Sequence, residues 1–310
     1  MSTAATRNTS RKRRILPLVV VGALFGTASS AIAEPIMAVT TTNALLRFDS
    51  LTPGATTTVA LSGTGAEQIV GIDFRPATGQ LYGLGSASNL YTINTTTGSA
   101  SLVGTLGTPL SGTSFGTDFN PVVDRFRVTS DADQNLRINP AAPGGGGTIV
   151  DGTLAYAAGD VNFGINPTIV GSAYDNNFAG ATSTTLYGID SALNILVEQN
   201  PANAGTLLTE GPLGFDVPNM LGFDISGRSG IGYAAWATAN GASNLYTINL
   251  NSGAAAFIGQ IGTTSGQQVR GISVAPVPEP ALMALLGLGL LTAVRRRRAG
   301  PRALLPTRAR

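Results

Sequence analysis

Between its two ends the chain repeats itself, and this repetition restricts the fold more than any other feature of the sequence. One marker is Gly-x-Asp-Phe, with looser copies, and the other is a short segment that ends in Asn or Asp before a turn that closes on Gly. The glycines of the first marker are Gly71, Gly116, Gly171, Gly222 and Gly271, in steps of 45, 55, 51 and 49 residues. The second marker ends at Asp49, Asn94, Asn139, Asn200 and Asn249. Both markers predict five units of about 50 residues.

Each unit divides into four short β-strands. In the unit where the pattern is clearest, the strands cover residues 69–75, 80–85, 89–94 and 100–104. Apolar residues alternate within these segments, and Gly, Asn and Pro separate them, which favours strands over helices. Four-stranded units at this spacing are typical of a β-propeller.

The first and last units complete each other. The first begins at Ile36 with what should be its second strand, whereas a spare copy of the inner-strand pattern occurs at residues 269–275. We therefore predict an all-β fold, a five-bladed β-propeller of four-stranded blades, in which the C-terminal strand completes the first blade and closes a ring of about twenty strands. An open β-solenoid and two packed sandwiches are the alternatives.

The composition removes most catalytic chemistry. The chain contains no Cys and no His, and Lys12 is its one lysine. These counts exclude disulfides, thiolate or imidazole metal sites and Ser-His-Asp triads, and they argue against a lysine Schiff base. We predict no catalytic residue.

Residues 1–33 are predicted to be a signal peptide. A basic stretch precedes an apolar run over residues 15–27 and a small-residue segment, Ala31-Ile32-Ala33. This order predicts cleavage before Glu34. An uncleaved membrane anchor is the alternative, although the apolar run is shorter than the ~20 residues that a membrane span needs.

The C-terminal end combines a Pro-Glu-Pro triplet, an apolar run and four arginines, and residues 299–310 follow as a basic tail. The residues are Pro278, Glu279, Pro280, Arg295, Arg296, Arg297 and Arg298. This order resembles the Pro-Glu-Pro C-terminal (PEP-CTERM) sorting signal of Gram-negative bacteria. The resemblance implies a chain that the export machinery translocates, that residues 277–298 hold in the membrane, and that an exosortase processes, commonly in species that make extracellular polysaccharide. A plain transmembrane anchor is the alternative.

The body between these ends, residues 34–276, is acidic. It holds seven arginines against sixteen acids, a net charge of about −9. Binding to phosphates requires clustered Lys and Arg, so we predict no nucleic-acid partner.

The repeats also resemble a bacterial domain family of unknown function that is often found on exported proteins. Residues 116–128 and 134–140 carry this resemblance, which covers nearly all of residues 34–276. It implies the propeller fold and no particular activity.

Asp73, Asp118 and Asp224 each lie two residues after a repeat glycine, on strands predicted to be innermost. Carboxylates that ring the channel closely would raise one another's pKa and suit acid–base or cation chemistry. We favour an architectural role, such as accepting hydrogen bonds from a neighbouring turn, because Ala173 and Ser273 interrupt the series.

Asp131, Asp133 and Asn135 resemble the start of a calcium-binding loop. Leu136 and Ala142 stand where an EF-hand requires Gly and Glu. We therefore interpret the segment as a turn and predict no cofactor, with calcium as the open alternative.

Two further groups receive structural interpretations. Solvated positions or cross-strand ion pairs account for the three neighbouring arginines, Arg125, Arg127 and Arg137. Blade packing is favoured over sugar stacking for Tyr82, Tyr91, Tyr187, Tyr246 and Trp236.

Repetition without a local chemical outlier favours a binding or structural module over an enzyme. We predict an exported propeller at the cell surface or in the extracellular matrix, anchored transiently by its C-terminal segment, whose loops contact polysaccharide or another surface protein. The alternative is a hydrolase or lyase that acts on an extracellular carbohydrate or lactone with Asp residues and calcium. A spacer without a specific ligand is a third interpretation.

Overall fold

The computed structural model describes Met1 and residues 32–263 and 268–276. Several predicted signal residues lie outside the described residues: Ala31, Pro278, Glu279, Pro280, Arg295, Arg296, Arg297 and Arg298. In the part of the chain that is described, no helix has the length and apolar character needed to cross a membrane.

The described residues form twenty-one β-strands and two short 3-10 turns, at Gly145–Gly147 and Ala202–Ala204. In chain order the strands are β1 (Pro35–Thr40), β2 (Ala44–Asp49), β3 (Thr52–Ala60), β4 (Ile69–Arg75), β5 (Gln80–Gly85), β6 (Asn89–Ile93), β7 (Ala100–Thr105), β8 (Phe115–Asn120), β9 (Arg125–Ser130), β10 (Asn135–Ile138), β11 (Thr148–Val150), β12 (Ala155–Tyr156), β13 (Ile169–Tyr174), β14 (Leu186–Asp190), β15 (Ile195–Gln199), β16 (Thr206–Pro212), β17 (Leu221–Ile225), β18 (Gly232–Ala237), β19 (Ser243–Ile248), β20 (Ala255–Gln260) and β21 (Val269–Val274).

These strands build five sheets, one for each repeat. From the axis outward, blade 1 is β21-β1-β2-β3, blade 2 is β4 to β7, blade 3 is β8 to β11, blade 4 is β13 to β16, and blade 5 is β17 to β20. The inner strands β21, β4, β8, β13 and β17 contact one another in that order and return to β21. The predicted five-bladed propeller is confirmed.

Blade 1 closes the ring in the predicted way. Strand β21 pairs antiparallel with β1, so that Ile36 lies opposite Val274 and Val39 lies opposite Gly271. The exposed edge that β1 would otherwise present is thereby covered.

Blade 4 contains one strand more than predicted. The short strand β12 pairs in parallel with β16, with Ala155 opposite Thr206, at the outer edge of the blade. The total is therefore twenty-one strands, not twenty. The connection over residues 151–168 passes this edge, and pairing part of it with β16 satisfies backbone groups that an open edge would leave exposed.

The second repeat marker forms Asx turns. The Oδ1 atom of Asn94 accepts hydrogen bonds from the backbone N–H groups of Thr96 and Thr97 at 2.9 and 3.0 Å. Asp49, Asn139 and Asn249 each accept the same bond from the residue two positions later. Asn200 is the exception, since its side chain donates to Glu198.

The core lies between neighbouring blades. Ile36 and Ala38 of blade 1 pack against Tyr233 and Ala235 of blade 5. At the junction of blades 2 and 3, the ring centroids of Tyr82 and Phe119 are 5.1 Å apart. Face-to-face burial of the sheets supplies the hydrophobic stabilisation, and it fixes the inner strands around the axis.

The first repeat marker supplies glycine where the inner strands meet. A Cβ atom at Gly116 would lie 2.5 Å from the backbone N of Ser172, and one at Gly222 would lie 2.4 Å from the backbone N of Ile272. Backbone atoms at that distance cannot move aside, so any side chain would force the strands apart. The cavity left among the inner strands is about 10 Å³, which leaves room for about one water molecule.

Candidate functional site

The propeller has two faces, which differ in the loops that they present. We call the face where every inner strand begins the upper face. It carries the connections from each outer strand to the next inner strand and from each second strand to the third. The opposite face is the lower face.

Asp73, Asp118 and Asp224 converge on the axis, from β4, β8 and β17. One carboxylate oxygen of each lies within 4.8 Å of those of the other two, and all three residues are buried. Among the described residues this is the one group of acids with the geometry to hold a metal ion.

Each of these carboxylates accepts a backbone hydrogen bond from the following blade. The donors are Phe119 N to Asp73 Oδ2 at 2.7 Å, Tyr174 N to Asp118 Oδ2 at 2.9 Å, and Val274 N to Asp224 Oδ2 at 2.5 Å. Ser273 takes the same role in blade 1, where its Oγ accepts from Phe74 N at 3.1 Å. The hydrogen bonds expected of an architectural role are present, but the donor is the next inner strand and not a turn.

Blade 4 interrupts this series because Ala173 has no acceptor. The amide of Ile225, which would be the donor there, bonds to Asp224 Oδ1 at 2.6 Å instead. Asp224 therefore accepts one amide from its own strand and one from blade 1, and only the bond from Val274 crosses a blade junction.

The environment favours the protonated form of these three carboxyl groups. Burial raises the pKa of Asp73 to about 7, against the opposing hydrogen bonds from Ser273 and Phe119. Burial also raises the pKa of Asp118 and of Asp224 well above the ordinary value, and the negative charge of Asp73 adds to both shifts. Three adjacent buried carboxylates would repel one another strongly, so the cluster is suited to sharing protons.

The three candidate calcium residues have different bonding partners. Both carboxylate oxygens of Asp131 bind Thr113, at 2.8 Å to its N and 2.6 Å to its Oγ1. Asp133 has a left-handed backbone with φ of 61°, and its Oδ1 is buried without a partner. Asn135 Oδ1 accepts from Arg127 at 2.7 Å.

Arg127 is neither solvated nor in a simple cross-strand pair. It is fully buried between blades 3 and 4, where it donates to Asp151 at 2.7 Å, to Asn203 at 2.8 Å and to Tyr174 at 3.2 Å. Arg137 also binds Asp151. The solvated interpretation is wrong for Arg127, which is buried in an ion pair. The local sequence does not reveal this pair, because the partner Asp151 lies in the connection after β11.

An open cleft on the upper face lies beside blade 5 and has a volume of about 620 Å³. One wall is the loop before β17, with Phe215, Asp216 and Met220, and the other is the end of β18 and the loop after it, with Trp236 and Thr238. Gln268 and Tyr246 also line the cleft.

Three aromatic rings contact one another in this cleft. Trp236 and Tyr246 stack with centroids 3.8 Å apart and planes 5° apart, and Phe215 contacts Tyr246 edge-on at 5.0 Å. Trp236 and Tyr246 are buried, whereas Phe215 is 38% exposed. Phe215 is therefore the ring that a ligand can reach, with the stacked pair as its support.

The sequence interpretation of the aromatic residues is confirmed for four of them. Tyr82, Tyr91, Tyr246 and Trp236 are all buried within the blades, and Tyr187 is partly buried. Phe215 was missed, because it lies outside the repeat. The sequence feature that could have identified Phe215 is an aromatic residue in a short loop, Gly214 to Pro218, where a solvated side chain is expected.

A second hollow opens at the upper mouth of the axis, next to the cleft. It measures about 100 Å³ and includes Thr113, Ser114, Asn219, Met220 and Arg270 in its lining. Arg270 also escaped the sequence interpretation, although it stands where the other four repeats have an apolar residue.

The ring and its closed axis define the described body as a five-bladed β-propeller. The family model "Domain of unknown function (DUF4394)" matches residues 44–273, and the chain belongs to this family. The "PEP-CTERM protein-sorting motif" matches residues 276–298. This motif implies export to the envelope and is a recognised exosortase signal, so both resemblances found in the sequence are confirmed.

No curated protein matches the chain. Solved structures that resemble it include a protein of unknown function from Bacteroides thetaiotaomicron, with 14% identity, a TM-score of 0.47, and coverage of 65% of this chain and 53% of that one. The chain thus spans about half the length of that relative. A nidogen/laminin complex has 12% identity, a TM-score of 0.46 and coverage of 79% and 99%. TolB from Acinetobacter baumannii has 16% identity, a TM-score of 0.45 and coverage of 79% and 67%.

Proposed function

We propose that this exported propeller is a non-catalytic module that binds extracellular carbohydrate in the aromatic cleft of its upper face. The observation that carries the proposal is the cleft itself, with a volume of about 620 Å³. Ligand sites in proteins typically measure about 300–1,000 Å³ and combine apolar walls with a few polar groups.

The lining suits a sugar ring. A pyranose has an apolar face of C–H groups and a rim of hydroxyls, so it can lie on an aromatic ring while its rim makes hydrogen bonds. Phe215 offers the exposed ring. Asp216, Thr238 and Gln268 offer donors and acceptors at the edges of the same cleft.

The distribution of acids supports binding without turnover. A glycosidase uses two carboxyl groups ~5 to 10 Å apart on either side of the bond that it cleaves. Asp216 is the one acid that lines the cleft. The axial carboxylates Asp73, Asp118 and Asp224 are buried and bonded to neighbouring inner strands, and none of them lines the aromatic cleft.

The proposal is tested by screening the full chain against a glycan array and assaying every glycan that binds for cleavage products. We expect binding without product. Phe215→Ala should weaken binding about tenfold or more, in line with the loss of an aromatic contact at the centre of a site.

Phe178→Ala is the matched control, since Phe178 is also exposed (46%) but lies in the connection between β13 and β14 on the lower face. Unchanged binding by Phe215→Ala, or no glycan bound at all, would contradict the proposal. Release of product would favour the hydrolase or lyase alternative.

A further inference from the structure

Arg270 breaks the repeat at the start of an inner strand. It precedes the repeat glycine Gly271 on inner strand β21, and the corresponding residues of the other blades are all apolar: Val70, Phe115, Val170 and Leu221. A charge at this position therefore has no role in the blade architecture that the other four blades share.

The guanidinium of Arg270 is left without a partner among the described residues. Its Nε atom is buried and makes no hydrogen bond, and the ion pairs of the described chain all belong to Arg75, Arg127 and Arg137. Burial lowers the pKa of Arg270, and no neighbouring carboxylate opposes that shift. Of the seventeen acids in the sequence, Glu279 alone lies outside the described residues. An arginine placed in this way is available to an external anion.

The hollow that Arg270 lines also contains other polar side chains. Ser114 and Asn219 supply polar groups around a space of about 100 Å³, and Thr113 lines it with its N–H and hydroxyl both donated to Asp131. Asp131, the acid bound to Thr113, makes no ion pair with Arg270. The space is suited to a small charged group and not to a whole sugar ring.

This hollow adjoins the aromatic cleft. Met220 lines both, and Gln268, which lines the cleft, lies two residues before Arg270 on the same segment. A ring that stacks on Phe215 can therefore direct a substituent towards Arg270.

We propose that the carbohydrate bound in the cleft is acidic, and that the carboxylate of a uronic acid residue occupies the hollow against Arg270. The planar guanidinium matches a carboxylate by two parallel hydrogen bonds, which fixes the sugar as well as attracting it. The inference rests on the proposed function of the cleft and adds the class of sugar.

The test is calorimetric titration of the full chain with a galacturonate hexamer and with its methyl ester, which has the same sugars without the charge. We expect the acidic hexamer to bind and the ester to bind at least about tenfold more weakly, because the ester cannot pair with the guanidinium. Arg270→Gln should weaken binding of the acid to the level of the ester and leave the ester unaffected. Arg270→Lys should give an intermediate affinity, because lysine keeps the charge without the planar fork.

Arg228→Gln is the matched control, with the same loss of charge on an exposed turn of the lower face. Equal binding of acid and ester, or an unchanged affinity in Arg270→Gln, would overturn the inference while Phe215→Ala still reports on the proposed function. A sulfated galactan hexamer that binds as tightly and with the same sensitivity to Arg270 would also overturn the carboxylate assignment. If neither hexamer binds to the parent chain, the inference fails, and the glycan array still decides the proposed function.

Discussion

The side chain of Asp118 is enclosed and bonded from two directions. Tyr174 N donates to its Oδ2 at 2.9 Å, and Asn177 Nδ2 donates to its Oδ1 at 3.3 Å. Because Tyr174 belongs to blade 4, Asp118 connects two sheets that share no strand pairing. The carboxyl group acts here as an acceptor for a buried amide, a role for which its charge is not needed.

We therefore predict that Asp118→Ala lowers the free energy of unfolding by about 1–3 kcal/mol, since it leaves the buried amide of Tyr174 without an acceptor. Asp118→Asn should cost less, because the amide oxygen can accept the same bond. Urea unfolding of both variants measures the difference. Equal losses in the two variants, or no loss in either, would contradict the role of acceptor.

At two points the backbones of neighbouring inner strands approach too closely to leave room for a side chain. Repeat glycines stand where β8 approaches β13 and where β17 approaches β21, with space for no Cβ atom. Strand β21 is separated from its neighbour β1 by the whole length of the propeller in sequence, and it completes the same ring. Closure of the ring therefore depends on the absence of a Cβ atom at these glycines.

Gly222→Ala is expected to destabilise the fold by about 1–3 kcal/mol, because its Cβ would collide with strand backbone that cannot move aside. Gly146→Ala is the matched control, since a Cβ there meets nothing within 4 Å, and its effect should be within about 0.5 kcal/mol. Thermal and urea unfolding would measure both. Similar stabilities of the two variants would contradict the close approach of the inner strands at Gly222.

The whole ring is arranged around three carboxyl groups that favour the protonated form. Asp73 has a pKa of about 7 in the folded chain, against 3.8 for a solvated Asp. Asp124 on the surface has the opposite shift, since its ion pair with Arg75 lowers its pKa. The two kinds of acid give the propeller opposite responses to pH.

A group whose pKa is raised by folding binds its proton more tightly in the folded chain. Its stabilising effect is complete below about pH 4 and is lost as the pH rises through about 7. The contribution of Asp124 is lost only below about pH 4. We therefore expect the urea midpoint to fall from pH 5 to pH 9.

Asp73→Asn removes the titrating group and keeps an acceptor for Phe119, so it should reduce the slope of this decline. Urea unfolding of both proteins at pH 5, 7 and 9 provides the comparison. A midpoint that rises over this interval, or an equal slope in Asp73→Asn, would show that the axial acids do not control the pH response.

Much of the architecture was predictable because it is periodic. The spacing of the glycines gave the number of blades, the spare strand predicted at residues 269–275 indicated closure, and the recurrence of Asp at one repeat position placed three carboxylates on the axis. Strand β12 was missed because its two residues pair with β16 about 50 residues away and have no periodic pattern.

The sequence alone determined features that each repeat specifies locally: strand alternation, Asx turns, glycines at the axis, and the sorting motif at the end of the chain. Tertiary structure decided which distant side chains meet. Arg127 is paired with Asp151 and Asn203, and Ser273 with Asp73, which lies 200 residues away. Phe215 and Arg270 border adjoining hollows only because closure of the ring brings the last inner strand beside blade 5. Local patterns specify blades, but contacts between blades depend on how five twisted sheets pack around one axis.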